Sequence, residues 1–334
     1  MSRKLRVIAY GLGVMGAGVV KALQKKQGFQ VVGAVDVNPA FKDKDLGEVL
    51  GLPPLGVKVS ADAAAVFKSA DADVVVHATS SDLRAVEPQL AACAAAGLDV
   101  VSTCEELSYP WKRHPEVSKR LDAAAKAGGA SLVGTGINPG YLMDALPLVL
   151  TAPCLRVDSV RVTRMMNSAK RRIPFQKKVG TGMTTAEFRS KIDAKEITGH
   201  VGLMESIHLI GEGLGWSLDR VDEAPPEAVI AERETASGMG PVPAGKVIGL
   251  KSVAHGWEGK ERRVSLEFVA YAGVAEEYDE VEVAGEPNLR QRILGGVHGD
   301  TGTLAMVINA IPRIVPAAPG LRTLLDLPLP RLAR

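Results

Sequence analysis

The chain has 334 residues, more than one ordinary domain holds and a fit for two. Hydrophobic residues make up 46% and charged residues 23%, which provides for a sizeable core and excludes global disorder. Lys and Arg (40) nearly balance Asp and Glu (38), and aromatic residues are 4%, so neither a nucleic-acid surface nor a base-stacking platform is expected.

Residues 5–10 form a short apolar run ending in Gly-Leu-Gly-Val-Met-Gly, with helical spacing beyond it through Val19, Val20 and Leu23. Basic residues ahead of this run imitate a signal peptide, but its glycines have a better explanation below. Residues 29–35 are a second apolar run, closed by Asp36. Strand and helix patterns then alternate: strand 72–78, helix 81–96, strand 99–103, helix 115–127, strand 131–136. Near-continuous apolar strands separated by helices predict a parallel sheet covered on both faces, doubly wound by right-handed crossovers.

After about residue 150 the pattern changes. Residues 156–166 and 263–271 alternate apolar with polar, 280–283 follow, and 246–254 and 263–271 flank a Glu258-Gly259-Lys260 turn, a hairpin signal. Residues 184–195 and 201–214 read as helices. The expectation is an α+β second domain with an open antiparallel sheet. A last helix, 300–310, is expected to end before Pro312 and to be followed by an ordered tail, 316–334, over the surface. The organisation is thus a dinucleotide-binding domain 1–148, a substrate and oligomerisation domain 149–299, and a segment 300–334 packing back on the first. No stretch reaches the roughly 18 apolar residues of a membrane span, so a soluble, cytoplasmic protein without membrane partners is expected.

Gly11, Gly13 and Gly16 form GxGxxG after a strand and at the opening of a helix, the context in which the motif has a mechanism. Gly11 makes the tight turn, Gly13 lets backbone approach a pyrophosphate, and Gly16 lets the helix pack close. Leu12, Val14 and Met15 complete the turn, whose N–H groups and helix dipole favour phosphate. Asp36 stands twenty residues beyond Gly16, where a carboxylate accepts from both ribose hydroxyls. The first domain therefore reads as a Rossmann sheet for a nicotinamide dinucleotide. Asp36 favours NAD by repelling a 2′-phosphate, while Lys42 and Lys44 nearby keep NADP open. Ala78, Thr79 and Ser80 end the next strand, where small polar residues line a dinucleotide; helix capping explains Ser80 or Ser81 equally well.

Ser102, Thr103 and Cys104 end the following strand on the cofactor side and lead into Glu105 and Glu106. A carboxylate at that strand end, walled off from water, has a raised pKa and trades protons near neutral pH. The bland reading is that one or both glutamates start a helix.

The segments STCEELSYPW (102–111), GTGINPGYLMDALP (134–147), RRIPFQKKVGTG (171–182), GHVGLMESIHLIGEGLGW (199–216) and HGDTGTLAMVINAIPRIVPAAPGLRTLLDLPLP (298–330) resemble the 2,4-diaminopentanoate dehydrogenase group. That group includes native amine dehydrogenases and is related to dihydrodipicolinate reductase. The resemblance covers essentially the whole chain. It implies reversible reductive amination, in which a carbonyl compound, ammonia and NAD(P)H give an amine, and it puts the catalytic glutamate in STCEELSYP. Glu105 is favoured over Glu106 because it falls where related homoserine dehydrogenases carry a lysine. Asn138 and Pro139 are expected beside the nicotinamide, with Asn138 on its carboxamide; the alternative is a plain Asn-Pro turn. Asn309, in the run closing the last helix, is grouped with the cofactor residues, and Tyr141, Met166 and His200 with the substrate. A homodimer is also implied.

The six histidines and three cysteines form no metal-ligand spacing, and an odd cysteine count fits no disulfide framework. The Arg171-Arg172 and Lys177-Lys178 pairs read as a solvated loop, or with Arg164 as a site for a substrate carboxylate. Dihydrodipicolinate reductase would show His-His and Lys-x-Asp-x-Pro-Ser-Gly-Thr, and sugar oxidoreductases of this class Glu-Lys-Pro; neither pattern occurs. A redox-sensing protein that holds NAD(H) without turnover is the alternative from another class, and it would need no glutamate at the strand end.

Overall fold

The computed structural model describes residues 3–333; residues 1, 2 and 334 lie outside the described residues. In chain order its elements are β1 (Leu5–Tyr10), α1 (Val14–Leu23), β2 (Phe29–Val35), α2 (Leu46–Leu50), β3 (Val59–Ser60), α3 (Ala63–Ser69), β4 (Val74–His77), α4 (Leu83–Ala95), β5 (Asp99–Ser102), α5 (Pro115–Gly128) and β6 (Ser131–Gly134). Next come α6 (Ala145–Leu150), β7 (Arg156–Asn167), α7 (Ile173–Lys178), α8 (Thr185–Asp193), α9 (Leu203–Gly213), β8 (Arg220–Glu223), β9 (Glu227–Ile230), β10 (Val247–Glu258), β11 (Glu261–Tyr271), β12 (Tyr278–Glu286) and β13 (Leu289–Leu294). Helix α10 (Gly299–Ile314) and β14 (Gly320–Arg322) close the chain. Two compact units result: one takes the chain up to Tyr141 and again from Gly299, the other is Leu142–His298. The first crossing comes ahead of the boundary expected at 148, so α6 belongs to the second unit.

The first unit holds a seven-stranded parallel sheet in the order β14-β6-β5-β4-β1-β2-β3. Alternation along each strand splits its core in two. Val7, Ala9, Val74 and Val76 face a layer with Val19, Val20 and Leu23 of α1 and Val307, Ile308 and Ile311 of α10. Ile8, Val75 and Val100 face the other way, onto Leu83, Val86 and Leu90 of α4 and Val117 and Leu121 of α5. This is the doubly wound sheet read from the sequence.

Two expectations for the C-terminal segment are corrected. Helix α10 runs through Pro312 to Ile314 instead of stopping before it. A proline this near the end removes only one helical bond, and fully buried Ile311 and Ile314 hold the last turn in the core. The tail is more than a surface covering, because Leu321 pairs in parallel with Leu132 and adds β14 to the sheet edge.

The second unit holds a sheet in the order β13-β12-β7-β11-β10-β8, with β9 also on β10. The β10–β11 hairpin forms as expected, Gly259 turning it at φ +59. Here too the structure corrects the reading, for β7 and β11 are parallel and the sheet is mixed. Side chains alternate with period two in either direction, so the pattern carries no information on it. One face is buried against α9, where a Cβ on Gly256 would stand 2.6 Å from Ile207 Cγ2. Among the described residues no helix is long and apolar enough to cross a membrane.

Candidate active site

In a parallel sheet all strands end on one rim, and in this fold ligands bind there. The ends of β1, β2, β4, β5 and β6 carry most of the residues singled out above. Gly11 adopts φ +90 at the end of β1, and its N–H donates to Val35 O at 2.8 Å. A Cβ on Gly16 would lie 1.8 Å from Gly11 O, so α1 can approach the turn only with glycine there. A Cβ on Gly13, by contrast, would meet nothing within 4 Å. That open cradle, with the N–H groups of Val14 and Met15 in the first turn of α1, fits a pyrophosphate. Asp36 binds both sides of this place: Oδ2 accepts from Leu12 N–H at 2.7 Å and Oδ1 from Asn38 N–H at 2.8 Å. The carboxylate therefore joins the phosphate turn to the loop after β2, and its other lone pairs suit ribose hydroxyls.

After β4, Ala78 N–H donates to Tyr10 O at 2.8 Å, and Thr79 Oγ1 to Gln89 Oε1 at 2.7 Å. Ser80 Oγ accepts from Asp82 N–H at 3.2 Å. The cap of α4 is Asp82, which accepts from Arg84 N–H, rather than Ser80 or Ser81. After β5, the Ser102 hydroxyl is fully buried between His77 Nδ1 at 2.9 Å and Cys104 N–H at 3.0 Å, and Thr103 N–H donates to His77 O. Cys104 Sγ donates to Ser81 O at 3.2 Å, and burial pushes this thiol far above its ordinary range. A thiol held protonated in this way is not an activated nucleophile.

The two glutamates share a single 3-10 turn, Glu105–Leu107, yet differ in setting. Glu106 Oε2 accepts from Leu83 N–H at 2.8 Å, with His114 Nε2 at 3.3 Å and Arg113 Nη1 at 3.8 Å beside its carboxylate. It holds the start of α4, an earlier helix than the one expected. Glu105 has a buried Oε2 at the strand end, and its carbonyl accepts from the Ser108 hydroxyl at 2.8 Å.

After β6 comes Asn138, joined to Pro139 by a cis peptide bond and only 7% exposed. Neither its Oδ1 nor its Nδ2 has a hydrogen-bond partner among the described residues. A buried amide with both ends unpaired fits a ligand that offers a donor and an acceptor, as a carboxamide does. Ile137 N–H donates to Thr303 Oγ1 of α10 at 3.3 Å. Asn309 faces elsewhere on that helix: its Oδ1 accepts from Ala333 N–H at 2.8 Å, against the tail. Tyr141 is the last residue before the chain crosses to the second unit.

Met166 and His200 lie in the second unit, around a cross-strand row on the buried face. Ser252 of β10 faces Phe268 of β11, which faces Arg164 of β7, which faces Asp279 of β12. The His200 ring stacks on Phe268 with centroids 4.3 Å apart, and its backbone N–H donates to Ser252 Oγ. Its Nε2 is buried without a partner among the described residues. Burial, then the charges of Arg164 and Lys178, push His200 down to about 3. Arg164, offered above for a carboxylate, already has Asp279 Oδ1 3.4 Å from its Nε and donates to Val297 O. Arg171 Nη1 reaches Met166 Sδ at 3.9 Å, and α7 follows where a solvated loop was the bland reading.

Reasoning from sequence did not single out His77 and Gln89, which lie 2.7 Å apart at Nε2 and Oε1, although His77, a lone polar residue ending the apolar β4 run, was a signal. Among the described residues no group of three or more His, Cys, Asp or Glu could hold a metal ion.

Residues 141–333 match the family model of the 2,4-diaminopentanoate dehydrogenase C-terminal domain, and residues 5–105 that of the dihydrodipicolinate reductase N-terminus. The chain is 34% identical to 2,4-diaminopentanoate dehydrogenase of Acetoanaerobium sticklandii, over 98% of this chain and 94% of that protein. It is 25% identical to an amine dehydrogenase of Streptomyces virginiae, over 97% of this chain and 96% of that one. The solved structure of an amine dehydrogenase from Mycobacterium smegmatis matches with a TM-score of 0.84 and 31% identity, covering 98% of this chain and 97% of the other.

Proposed function

Since the chain belongs to the 2,4-diaminopentanoate dehydrogenase family and is an NAD(P)-dependent oxidoreductase acting on amines, we propose that it catalyses reversible reductive amination with Glu105 as the acid–base group. A carbonyl compound and ammonia give a primary amine, and the nicotinamide supplies the hydride that an iminium carbon receives. The observation that carries this reading is an acid on the turn after β5, the strand lying between β4 and β6, which Thr79 and Asn138 follow.

Glu105 takes a proton from ammonium, so that neutral ammonia attacks the carbonyl carbon. It then returns the proton to the carbinolamine oxygen, which leaves as water, and its carboxylate stabilises the cationic iminium. A lysine at this position would perform the protonation but not the last task. Glu106 keeps α4 and this turn together. Asn138 orients the nicotinamide through its carboxamide, Gly13 and the first turn of α1 hold the pyrophosphate, and Asp36 holds the adenosine ribose. Met166, His200 and Tyr141 belong on the substrate side. A homodimer and a cytoplasmic location complete the reading, and light scattering of the purified chain tests the first.

The deciding experiment is a panel of ketones, aldehydes and keto acids with ammonium, followed through NADH and NADPH absorbance. The Acetoanaerobium relative makes 2,4-diaminopentanoate the first amine to oxidise. Ammonium-dependent oxidation of NADH is expected; a panel without turnover would favour the NAD(H)-sensing alternative. Asp36→Ser should raise NADPH use relative to NADH, and an unchanged ratio would remove Asp36 from the ribose.

A further inference from the structure

Four side chains beneath the rim of the first unit form a closed hydrogen-bond chain that the mechanism above does not use. His77, on β4, is wholly buried, and the Tyr10 ring meets it edge-on with centroids 5.4 Å apart. Its Nδ1 lies 2.9 Å from Ser102 Oγ and its Nε2 2.7 Å from Gln89 Oε1. Proton counting assigns the directions. Ser102 Oγ accepts from Cys104 N–H, and its own proton goes to His77 Nδ1. Nδ1 is then the acceptor, so the ring proton sits on Nε2 and is donated to Gln89 Oε1. Gln89 Oε1 also accepts from Thr79 Oγ1 at 2.7 Å. Thr79 Oγ1 also lies 3.0 Å from His77 Nε2, where it can share the ring proton, so all these contacts are compatible, and burial, which pushes His77 below its ordinary value, keeps the ring neutral as this arrangement requires.

Both ends of the chain reach rim residues. One ends on the amide of Cys104, next to Glu105; the other ends on Thr79, after β4. We propose that His77 is a positioning residue for the reaction: through Ser102 it holds the Cys104 amide, and with it the turn that aims the Glu105 carboxylate. This rests on the reading of Glu105 given above. Through Gln89 the ring ties β4 to α4, which a core histidine with no further task would also do; its other nitrogen determines the proton of Ser102 at the end of β5, whose oxygen holds the Cys104 amide.

Two substitutions separate its halves. His77→Asn keeps an acceptor near Nδ1 for Ser102 and gives up the donor to Gln89; His77→Gln keeps a donor near Nε2 and gives up the acceptor. With 2,4-diaminopentanoate and NAD as probes, His77→Gln and Ser102→Ala should each lower kcat roughly 10-fold, the scale of a displaced reacting group. KM for NAD should move by less than about threefold. His77→Asn should recover most of the lost kcat. Amide hydrogen exchange at Cys104 should quicken by about 10-fold or more in His77→Gln and stay slow in His77→Asn. The double variant His77→Gln, Ser102→Ala should be no slower than either single one, as expected for two members of one chain.

Equal kcat losses in the Asn and Gln variants, with Cys104 exchange unchanged, would overturn the proposal. So would a fall in Tm alone, with kcat and exchange as in the parent. Glu105→Gln separates the two readings. Full activity in that variant would sink the acid–base assignment and the positioning role with it, whereas an inactive Glu105→Gln beside an unaffected His77→Gln would sink the positioning role alone.

Discussion

Two histidines with buried ring nitrogens, one in each unit, have opposite hydrogen-bond accounts. His77 sits in the parallel sheet with Nδ1 on Ser102 and Nε2 on Gln89, and no polar atom of the ring is left over. His200 lies flat on Phe268 in the other unit, its Nε2 buried and without a partner among the described residues. Burial holds both rings towards the neutral form, and the cations Arg164 and Lys178 push His200 further. Leaving a buried polar atom unpaired costs about 1–3 kcal/mol, so it persists in a folded chain where something else rewards it. Burial alone therefore says little about a histidine's task, and the count of its partners says much. The first is the one proposed above as a positioning residue, and the second is the one proposed for the substrate side.

The adjacent glutamates also differ in setting, Glu106 holding Leu83 N–H and Glu105 lying at the end of β5, and there the expected effects are largest. Glu105→Gln should lower kcat by roughly 100-fold or more while NADH still binds in a fluorescence titration. Glu106→Gln should be milder in kcat and cost about 1–3 kcal/mol in urea unfolding, because it weakens the bond to Leu83 N–H. The reverse pattern would move the assignment by one residue; normal turnover in both would end the carboxylate mechanism.

Among the glycines, Gly13→Ala should raise KM for NADH about 10-fold with Tm unmoved, since its methyl group fills only the cradle. Gly16→Ala should lower Tm as well, because its Cβ would stand 1.8 Å from Gly11 O. A Gly13→Ala enzyme with parental KM would remove the pyrophosphate from that place.

The pH dependence sharpens the histidine comparison. His200 is pushed down to about 3, so between there and the ordinary histidine value of about 6.5 the unfolded chain binds a proton that the folded chain refuses. Stability is full above that ordinary value and falls as the pH drops through it, by at most about 1.4 kcal/mol per pH unit for this group. His200→Phe should flatten the acid limb without abolishing it, since His77 and His114 are also pushed down by burial. Urea midpoints at successive pH values would reveal a limb of unchanged steepness if His200 were accessible to protons in the folded state.

The smallest effect belongs to Cys104. Its thiol donates to Ser81 O and is held protonated, so Cys104→Ser should change kcat by less than about threefold, and chelators should leave the rate alone. A collapse in either experiment would place a thiolate or a metal in the chemistry.

Much was legible before any coordinate. The GxGxxG turn, Asp36 and the alternating strands of the first unit rest on local chemistry: glycine alone tolerates the turn, and a parallel strand buried on both faces must be apolar along its length. The split between Glu105 and Glu106 was legible as a preference and not as a geometry, because it depends on Leu83 and His114, which are near in space and not in sequence. The direction of β11 beside β7, the passage of α10 through Pro312 and the added strand β14 were not legible at all. Each is set by which neighbour an element buries against.

By itself the sequence determined the periodicities, the phosphate turn, the acid at the end of β2 and the family motif around Glu105. Each of these is a property of a few consecutive residues and their allowed conformations. Only the tertiary structure decided which polar groups find partners among the described residues and which do not: His77 against His200, Glu106 at the start of α4, Asn138 with neither end of its amide paired. Hydrogen-bond satisfaction is an account summed over residues distant in the chain, and only folding brings those residues within bonding distance.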